Sequence, residues 1–253
     1  MSAHGRLEGR VGIVTGAAGG MGAAHVTRLA GEGAAVYAAD IDQEGLERTT
    51  AATPDRTLGR LLDVTSADAW SALVTDVMTD HGRIDFLVNN AGVVQLADAV
   101  ETSEAEWDRT MAINAKGVFL GMKHVVPVMQ RQGAGSIVNI SSVYGLVGTS
   151  GYVAYTASKG AVTVMTKAAA ATHGPAGIRV NSVHPGVVYT PMLETELSGL
   201  PASALEDFLA ATPLRRGAAP DEVSGAVLFL VSDDSSFVSG AEIVVDGGLI
   251  AAR

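Results

Sequence analysis

Val11-Gly12-Ile13-Val14-Thr15-Gly16-Ala17-Ala18-Gly19-Gly20-Met21-Gly22 is the stretch on which the fold turns. A β-branched apolar run closes at Thr15, four glycines then fall between Gly16 and Gly22, and a segment of helical spacing, Met21 to Glu32, follows at once. Residues without Cβ let a chain turn sharply from strand to helix, and they let an anion approach the free amides of a helix N-terminus. A plain tight turn accounts for one or two glycines. Four of them directly after the first strand favour the pyrophosphate of a nucleotide, although the spacing Thr-Gly-x-x-x-Gly-x-Gly departs from the usual Gly-x-Gly-x-x-Gly fingerprint.

Outward from that turn, short aliphatic runs recur at Ala35 to Ala39, Leu58 to Leu62, Asp85 to Asn89, Ser136 to Ser141, Ile178 to His184 and Glu242 to Asp246. Between most of them lie segments of helical spacing: Ser66 to His81, Trp107 to Arg131, Tyr152 to His173 and Pro220 to Val231. Strand and helix in alternation mean parallel strands joined by crossovers, and strands apolar on both faces mean helices on both sides. The expected architecture is α/β, a Rossmann-type doubly wound parallel sheet of about seven strands. No linker or repeat divides the chain, so residues 1–253 are expected to form one dinucleotide-binding and catalytic domain. The least regular stretch, about 190–217, carries Pro191, Pro201 and Pro213 and is expected to be an insertion covering the substrate.

The chain has 253 residues, 17 Lys and Arg against 27 Asp and Glu, and a formal net charge of −10. Nucleic acids and anionic membranes demand a concentrated positive field, so neither is an expected partner. There is no cysteine, which removes disulfides, thiolate metal sites and a cysteine nucleophile. The opening residues lack the apolar core of a signal peptide, and no apolar run reaches the ~18 residues of a membrane span. The expectation is a soluble, cytoplasmic protein. His25, His81, His124, His173 and His184 show no pattern of partners for a metal, and no metal is expected.

The second predicted strand runs into Asp40. A carboxylate there accepts hydrogen bonds from both hydroxyls of an adenosine ribose and repels a 2′-phosphate; a strand-end turn alone would also favour Asp. No Arg or Lys lies in the glycine turn or next to Asp40, so NAD is favoured over NADP. Further on, Tyr155 and Lys159 are four residues apart in a helical segment and therefore share one face, about one turn (~5.4 Å) apart; taken alone, the pair reads as an ordinary Tyr and Lys of an amphipathic helix. A nearby ammonium favours tyrosinate and is expected to bring the phenol below its ordinary ~10. Tyr152 has Thr156 at the same offset and lacks this partner.

Together these motifs resemble the short-chain dehydrogenases/reductases, and the resemblance extends from about Leu7 to Gly248. It rests on Thr15 to Gly22, Asn89-Asn90-Ala91-Gly92, Asn114, Ser142 thirteen residues before Tyr155, Tyr155-x-x-x-Lys159 and Pro185-Gly186, in that order. The resemblance implies that Tyr155 exchanges a proton with the substrate oxygen, that Ser142 holds that oxygen, that Lys159 bonds the nicotinamide ribose, and that Asn114 holds a water linking Lys159 to solvent. It further implies Gly16, Gly20, Met21 and Gly22 at the pyrophosphate, Asp40 at the adenosine ribose, and Asp63 and Val64 at the adenine. Asn90, Ala91 and Gly92 would lie along the ribose, and Pro185, Gly186, Val188 and Thr190 at the nicotinamide end. For Asp63 the alternative is a cap on the helix beginning near Ser66.

Members that reduce acyl thioesters with NADP commonly carry an Arg in the glycine turn, where this chain has Ala18 and Gly19. The enoyl reductase branch separates its Tyr and Lys by more residues. Side chains expected around the substrate are Leu96, Val143, Leu146, Val147, Tyr152, Tyr189, Met192, Leu193, Leu197 and Phe208. An apolar pocket with one polar end suits a hydrophobic secondary alcohol or ketone. Local stretches such as Met21 to Val26 and His184-Pro185-Gly186 resemble bacterial 3α/20β-hydroxysteroid dehydrogenases. The competing expectations are an NADPH-dependent 3-oxoacyl thioester reductase and a nucleotide-sensing module without turnover. The family resemblance also implies a homotetramer built through the helices containing Asn114 and Tyr155.

Overall fold

A computed structural model describes residues 5–252; residues 1–4 and Arg253, the ends of the expected 1–253 domain and part of the opening segment read for a leader, lie outside the described residues. Seven strands form one all-parallel sheet in the order β3-β2-β1-β4-β5-β6-β7. They are β1 (Val11–Thr15), β2 (Ala35–Asp40), β3 (Thr57–Leu61), β4 (Phe86–Asn89), β5 (Gly135–Ile140), β6 (Ile178–Pro185) and β7 (Glu242–Val245). The order reverses between β1 and β4, and in a doubly wound sheet the crevice beyond the carboxyl ends of those strands is where a ligand sits.

Alternation along each strand divides the core in two. Val14, Val36, Ala38, Val88 and Val138 face one layer, where α1 (Gly20–Gly31) and α9 (Pro220–Val231) pack with Val26, Leu29, Val227 and Leu228. Ile13, Tyr37, Leu87, Ile137 and Val180 face the other, covered by α3 (Ala67–His81), α5 (Gly117–Gln132) and α6 (Val153–His173) through Trp70, Val125, Met129 and Val162. Each fully buried Leu, Ile or Val contributes roughly 1.5–3 kcal/mol by leaving water, so the sheet is a rigid floor for the loops at its carboxyl edge.

Four local expectations are corrected. Strand β3 is an edge: Leu58 and Leu61 are exposed and Arg60 reaches Asp76, so apolarity on both faces holds for the inner strands alone. A helix, α2 (Gln43–Ala51), lies where none was expected; it buries little beyond Leu46, too few positions for a visible period, and is started by Asp42 accepting from Gly45 N. The expected helix Trp107 to Arg131 is two helices, α4 (Glu104–Met111) and α5, joined by a π-helical turn at Ala112–Lys116. Finally, 190–217 is not irregular: it contains α7 (Pro191–Ser198) and α8 (Ala204–Ala211). Pro191 occupies the first position of α7, where a missing amide costs nothing, and Thr190 caps it by accepting from Leu193 N. No helix among the described residues is long and apolar enough to cross a membrane.

Candidate active site

The glycine turn is stitched to the end of β4. Thr15 Oγ1 accepts from Asn90 N (3.0 Å) and Ala91 N (3.1 Å), while Asn90 Nδ2 donates to the carbonyls of Thr15 (2.9 Å) and Gly16 (3.1 Å). Helix α1 closes tightly on this turn, so that a Cβ on Gly22 would stand 1.9 Å from Gly16 O; Gly16 itself has φ +65°, a conformation costly for other residues. The N-cap of α1 is Gly19, and no side chain caps the first turn. Its amides and the positive end of its dipole therefore face outward, a ready seat for an anion.

Asp40 serves this turn directly. Its carboxylate accepts from Ile41 N (2.7 Å), Asp42 N (3.1 Å) and, across the turn, Ala18 N (3.0 Å). The strand-end role is thus real, and the carboxylate still lies beside the glycine turn. Asp63 accepts from Thr65 N (2.8 Å) and Thr65 Oγ1 (2.7 Å), whereas Ser66 caps α3 by accepting from Ala69 N; the capping alternative for Asp63 is overturned. Val64 packs on Gly117 and its carbonyl accepts from Trp70 Nε1 (3.1 Å). Uncapped helix amides and a carboxylate at the end of β2 are a donor and acceptor set that fits a dinucleotide.

Ser142 follows β5, and Tyr155 and Lys159 lie in the first turns of α6. Lys159 is buried and donates to Ile140 O (2.9 Å), with Nζ 5.7 Å from the Tyr155 ring centroid. Gly92 runs between Asn114 and this lysine: a Cβ there would lie 3.3 Å from Asn114 Oδ1 and 3.5 Å from Lys159 Nζ. Asn114, fully buried in the π turn, accepts from Val93 N (2.8 Å) and donates to Val93 O (2.9 Å) and Ser158 Oγ (3.0 Å). Ser158 Oγ in turn donates to Tyr155 O (2.7 Å), so Asn114 clamps the loop after β4 to the helix that carries Tyr155. Ser141 is committed elsewhere, donating to Lys159 O (2.9 Å), while Ser142 hydrogen-bonds the phenol.

The electrostatics depart from expectation. Tyr155 is pushed up to about 12, not below its ordinary value, because protein surrounds the phenol and removes its water; the Ser142 hydrogen bond pulls the other way, and Glu196 adds to the rise. Burial likewise brings Lys159 down to about 8. Lys159 gives one of its three N–H groups to the Ile140 carbonyl, and desolvation is the dominant influence on the phenol.

Tyr155 and Ser142 open into a cavity of about 690 Å³, counted with its mouth, whose wall also includes Met21, Pro185, Gly186, Val188 and Thr190. Of the expected substrate-lining side chains, Val143, Tyr152, Met192, Leu193 and Phe208 are present, whereas Leu96, Leu146, Val147, Tyr189 and Leu197 are not. Tyr189 turns outward, 46% exposed, and its hydroxyl accepts from Gly217 N. Val94, Tyr144, Val187 and Glu196 also belong to the wall; they fall within the segments Val93 to Ala97, Val143 to Tyr152 and Val187 to Leu209 expected to line the site but were not singled out, whereas Leu249 lies outside those segments. For Glu196 a signal existed: with Leu193 it makes an i, i+3 pair on one face of α7, legible once 190–217 is read as helical.

The chain is similar along nearly its whole length to known proteins. A family model described as "Enoyl-(Acyl carrier protein) reductase" matches residues 16–250. Cyclopentanol dehydrogenase of Comamonas sp. (strain NCIMB 9872) is 49% identical over 251 residues, covering 98% of this chain and 99% of that protein. The 3-alpha-(or 20-beta)-hydroxysteroid dehydrogenase of Mycobacterium tuberculosis (strain ATCC 25618 / H37Rv) is 45% identical, covering 98% and 92%. The 3-oxoacyl-[acyl-carrier-protein] reductase FabG of Thermotoga maritima is 44% identical, covering 97% and 99%. Among solved structures, levodione reductase superimposes with a TM-score of 0.95 at 37% identity, covering 98% of this chain and 100% of that one.

Proposed function

The chain belongs to the short-chain dehydrogenase/reductase family, and from that premise we propose that it is an NAD(H)-dependent oxidoreductase interconverting an apolar secondary alcohol, cyclic or steroidal, with its ketone. The observation that carries the reading is the Ser142–Tyr155 pair, with Lys159 beside it, opening into a cavity otherwise walled largely by aliphatic and aromatic side chains. The names of the cyclopentanol and hydroxysteroid relatives support the substrate class. Bound nicotinamide supplies the hydride donor or acceptor and, when oxidised, a positive charge.

The chain's own residues do the rest. Ser142 donates to the substrate oxygen and fixes it beside the phenol. Tyr155 gives that oxygen a proton during reduction and takes one during oxidation; its elevated pKa keeps the proton available near neutrality. Lys159 holds the ribose hydroxyls, and Asn114, with one lone pair of Oδ1 to spare, positions a water for proton exchange. Gly16, Gly20, Met21 and Gly22 seat the pyrophosphate, Asp40 the adenosine ribose, Asp63 and Val64 the adenine, and Asn90, Ala91 and Gly92 the nearer ribose. Pro185, Gly186, Val188 and Thr190 border the carboxamide end.

Residues 190–217 act as the substrate cover of a single catalytic unit working in the cytoplasm. Exposed Phe119 on α5 and Val164 on α6 support a homotetramer built through those helices; a monomer's mass in light scattering would overturn it. The central test compares turnover efficiency with NADH and NADPH on cyclopentanone, larger apolar ketones and a 3-oxoacyl thioester, with Tyr155→Phe as control. A strong NADH preference on the ketones, lost in the variant, is expected. An NADPH preference with the thioester would install the FabG-like reading instead, and cofactor binding without turnover would leave a nucleotide-sensing module.

A further inference from the structure

Glu196 is the only charged side chain among the described residues that wall the substrate cavity. It is half-buried on α7, and the Tyr152 hydroxyl, at the start of α6, donates to its Oε1 at 2.5 Å. No cation pairs with it among the described residues, and burial raises its carboxyl above the ordinary range. An ionised carboxylate offers about four lone-pair directions, and Tyr152 takes one. What remains is an acceptor-only group, partly stripped of water, facing a cavity whose neighbouring walls are Met192, Leu193 and Phe208. Such a group is satisfied by a hydrogen-bond donor on the ligand and antagonised by a second negative charge.

We infer that Glu196 is a specificity-determining residue that selects substrates bearing a second hydroxyl besides the one that reacts, and turns away those bearing a carboxylate. The inference rests on the alcohol and ketone chemistry proposed above. Ser142 and Tyr155 are engaged by the reacting oxygen, and Tyr152 spends its proton on Glu196, so neither competes for the second hydroxyl. A merely structural pair holding α7 to α6 would need an acceptor for Tyr152 and nothing more; a glutamine supplies that as well as a glutamate does.

The test uses three ketones of matched ring size at pH 8 with NADH and NADPH: cyclohexanone, 4-hydroxycyclohexanone and 4-oxocyclohexanecarboxylate. The full-length protein is expected to favour the hydroxylated ketone over the bare one by about tenfold or more in kcat/KM, the scale of one hydrogen bond to a charged group, and to handle the carboxylate worst. Glu196→Gln is expected to raise the carboxylate's relative kcat/KM by about tenfold and shrink the hydroxyl preference. Tyr152→Phe, which frees the carboxylate from its partner, should retain that preference. Turnover of all three ketones with ratios unmoved by Glu196→Gln overturns this inference alone. Turnover of none, with either cofactor, overturns the alcohol and ketone reading beneath it.

Discussion

Asp40→Asn separates the bracing of the glycine turn, which the structure shows, from the cofactor selection proposed for the same carboxylate. In the native turn Oδ1 accepts from Ile41 N and Asp42 N, and Oδ2 accepts from Ala18 N at 3.0 Å. An asparagine does best by keeping its oxygen on the first two amides, which points its NH₂ at the Ala18 amide. One charge-assisted bond is lost, about 1.5 kcal/mol at the low end of its range because the group is partly exposed. In a chain of this size that lowers Tm by about 3–6 °C. On the proposed role, loss of the charge also removes an acceptor for the ribose hydroxyls and the repulsion of a 2′-phosphate, so the NADH to NADPH ratio of kcat/KM should fall by roughly 10- to 100-fold. Calorimetry reads the first effect and steady-state kinetics with cyclopentanone the second. A Tm that drops as stated while the cofactor ratio stays within about threefold would refute the reasoning: Asp40 would then be a brace for the glycine turn, with cofactor choice made elsewhere.

Tyr155→Phe should lower turnover by roughly 10²–10⁴, the usual worth of a general acid or base, while NADH binding followed by fluorescence is retained; comparable loss of binding would point to a folding defect. Because the Glu196 charge helps hold Tyr155 up, Glu196→Gln should move the rise of the oxidation rate with pH to lower pH, and an unmoved rise would place the two groups out of electrical contact. His25 lies fully buried between α1 and α9, Nδ1 on Ser224 Oγ (2.7 Å) and Nε2 without a partner, and burial brings it down to about 4 from 6.5. The unfolded chain therefore binds a proton that the folded chain refuses between those values. Stability present above pH 6.5 is lost as pH falls towards 4, by about 3 kcal/mol, and His25→Gln should flatten that loss in urea midpoints taken at pH 7 and 4.5.

The parts legible in the sequence are those whose cause is local. The run Val11 to Thr15 is a strand with those bounds, and the glycines after it turn because their own backbones require it. Tyr155 and Lys159 share a face because a helix makes residues four apart neighbours. The parts that escaped depend on partners distant in the chain. Glu196 meets Tyr152 across 44 residues, and Tyr155 is raised by burial that several separate segments create together. Proline misled for a different reason: at Pro191 it marks a beginning, and its meaning depends on Thr190 capping before it.

The π-helical turn at Ala112–Lys116 has a consequence for how this protein can vary. An α-helix advances about 100° per residue, so a loop of five residues where four would serve resets the rotation of everything beyond it. Helix α5 carries nine buried residues on the sheet, while Asn114, inside the turn, is aimed at Val93 and Ser158. Adding or deleting one residue here would swing either the carboxamide away from its clamp or that entire apolar face towards water. The turn works as a phase lock between the hydrophobic floor and the candidate site above it, and substitutions in either half are free to accumulate only while the count of residues between them stays fixed.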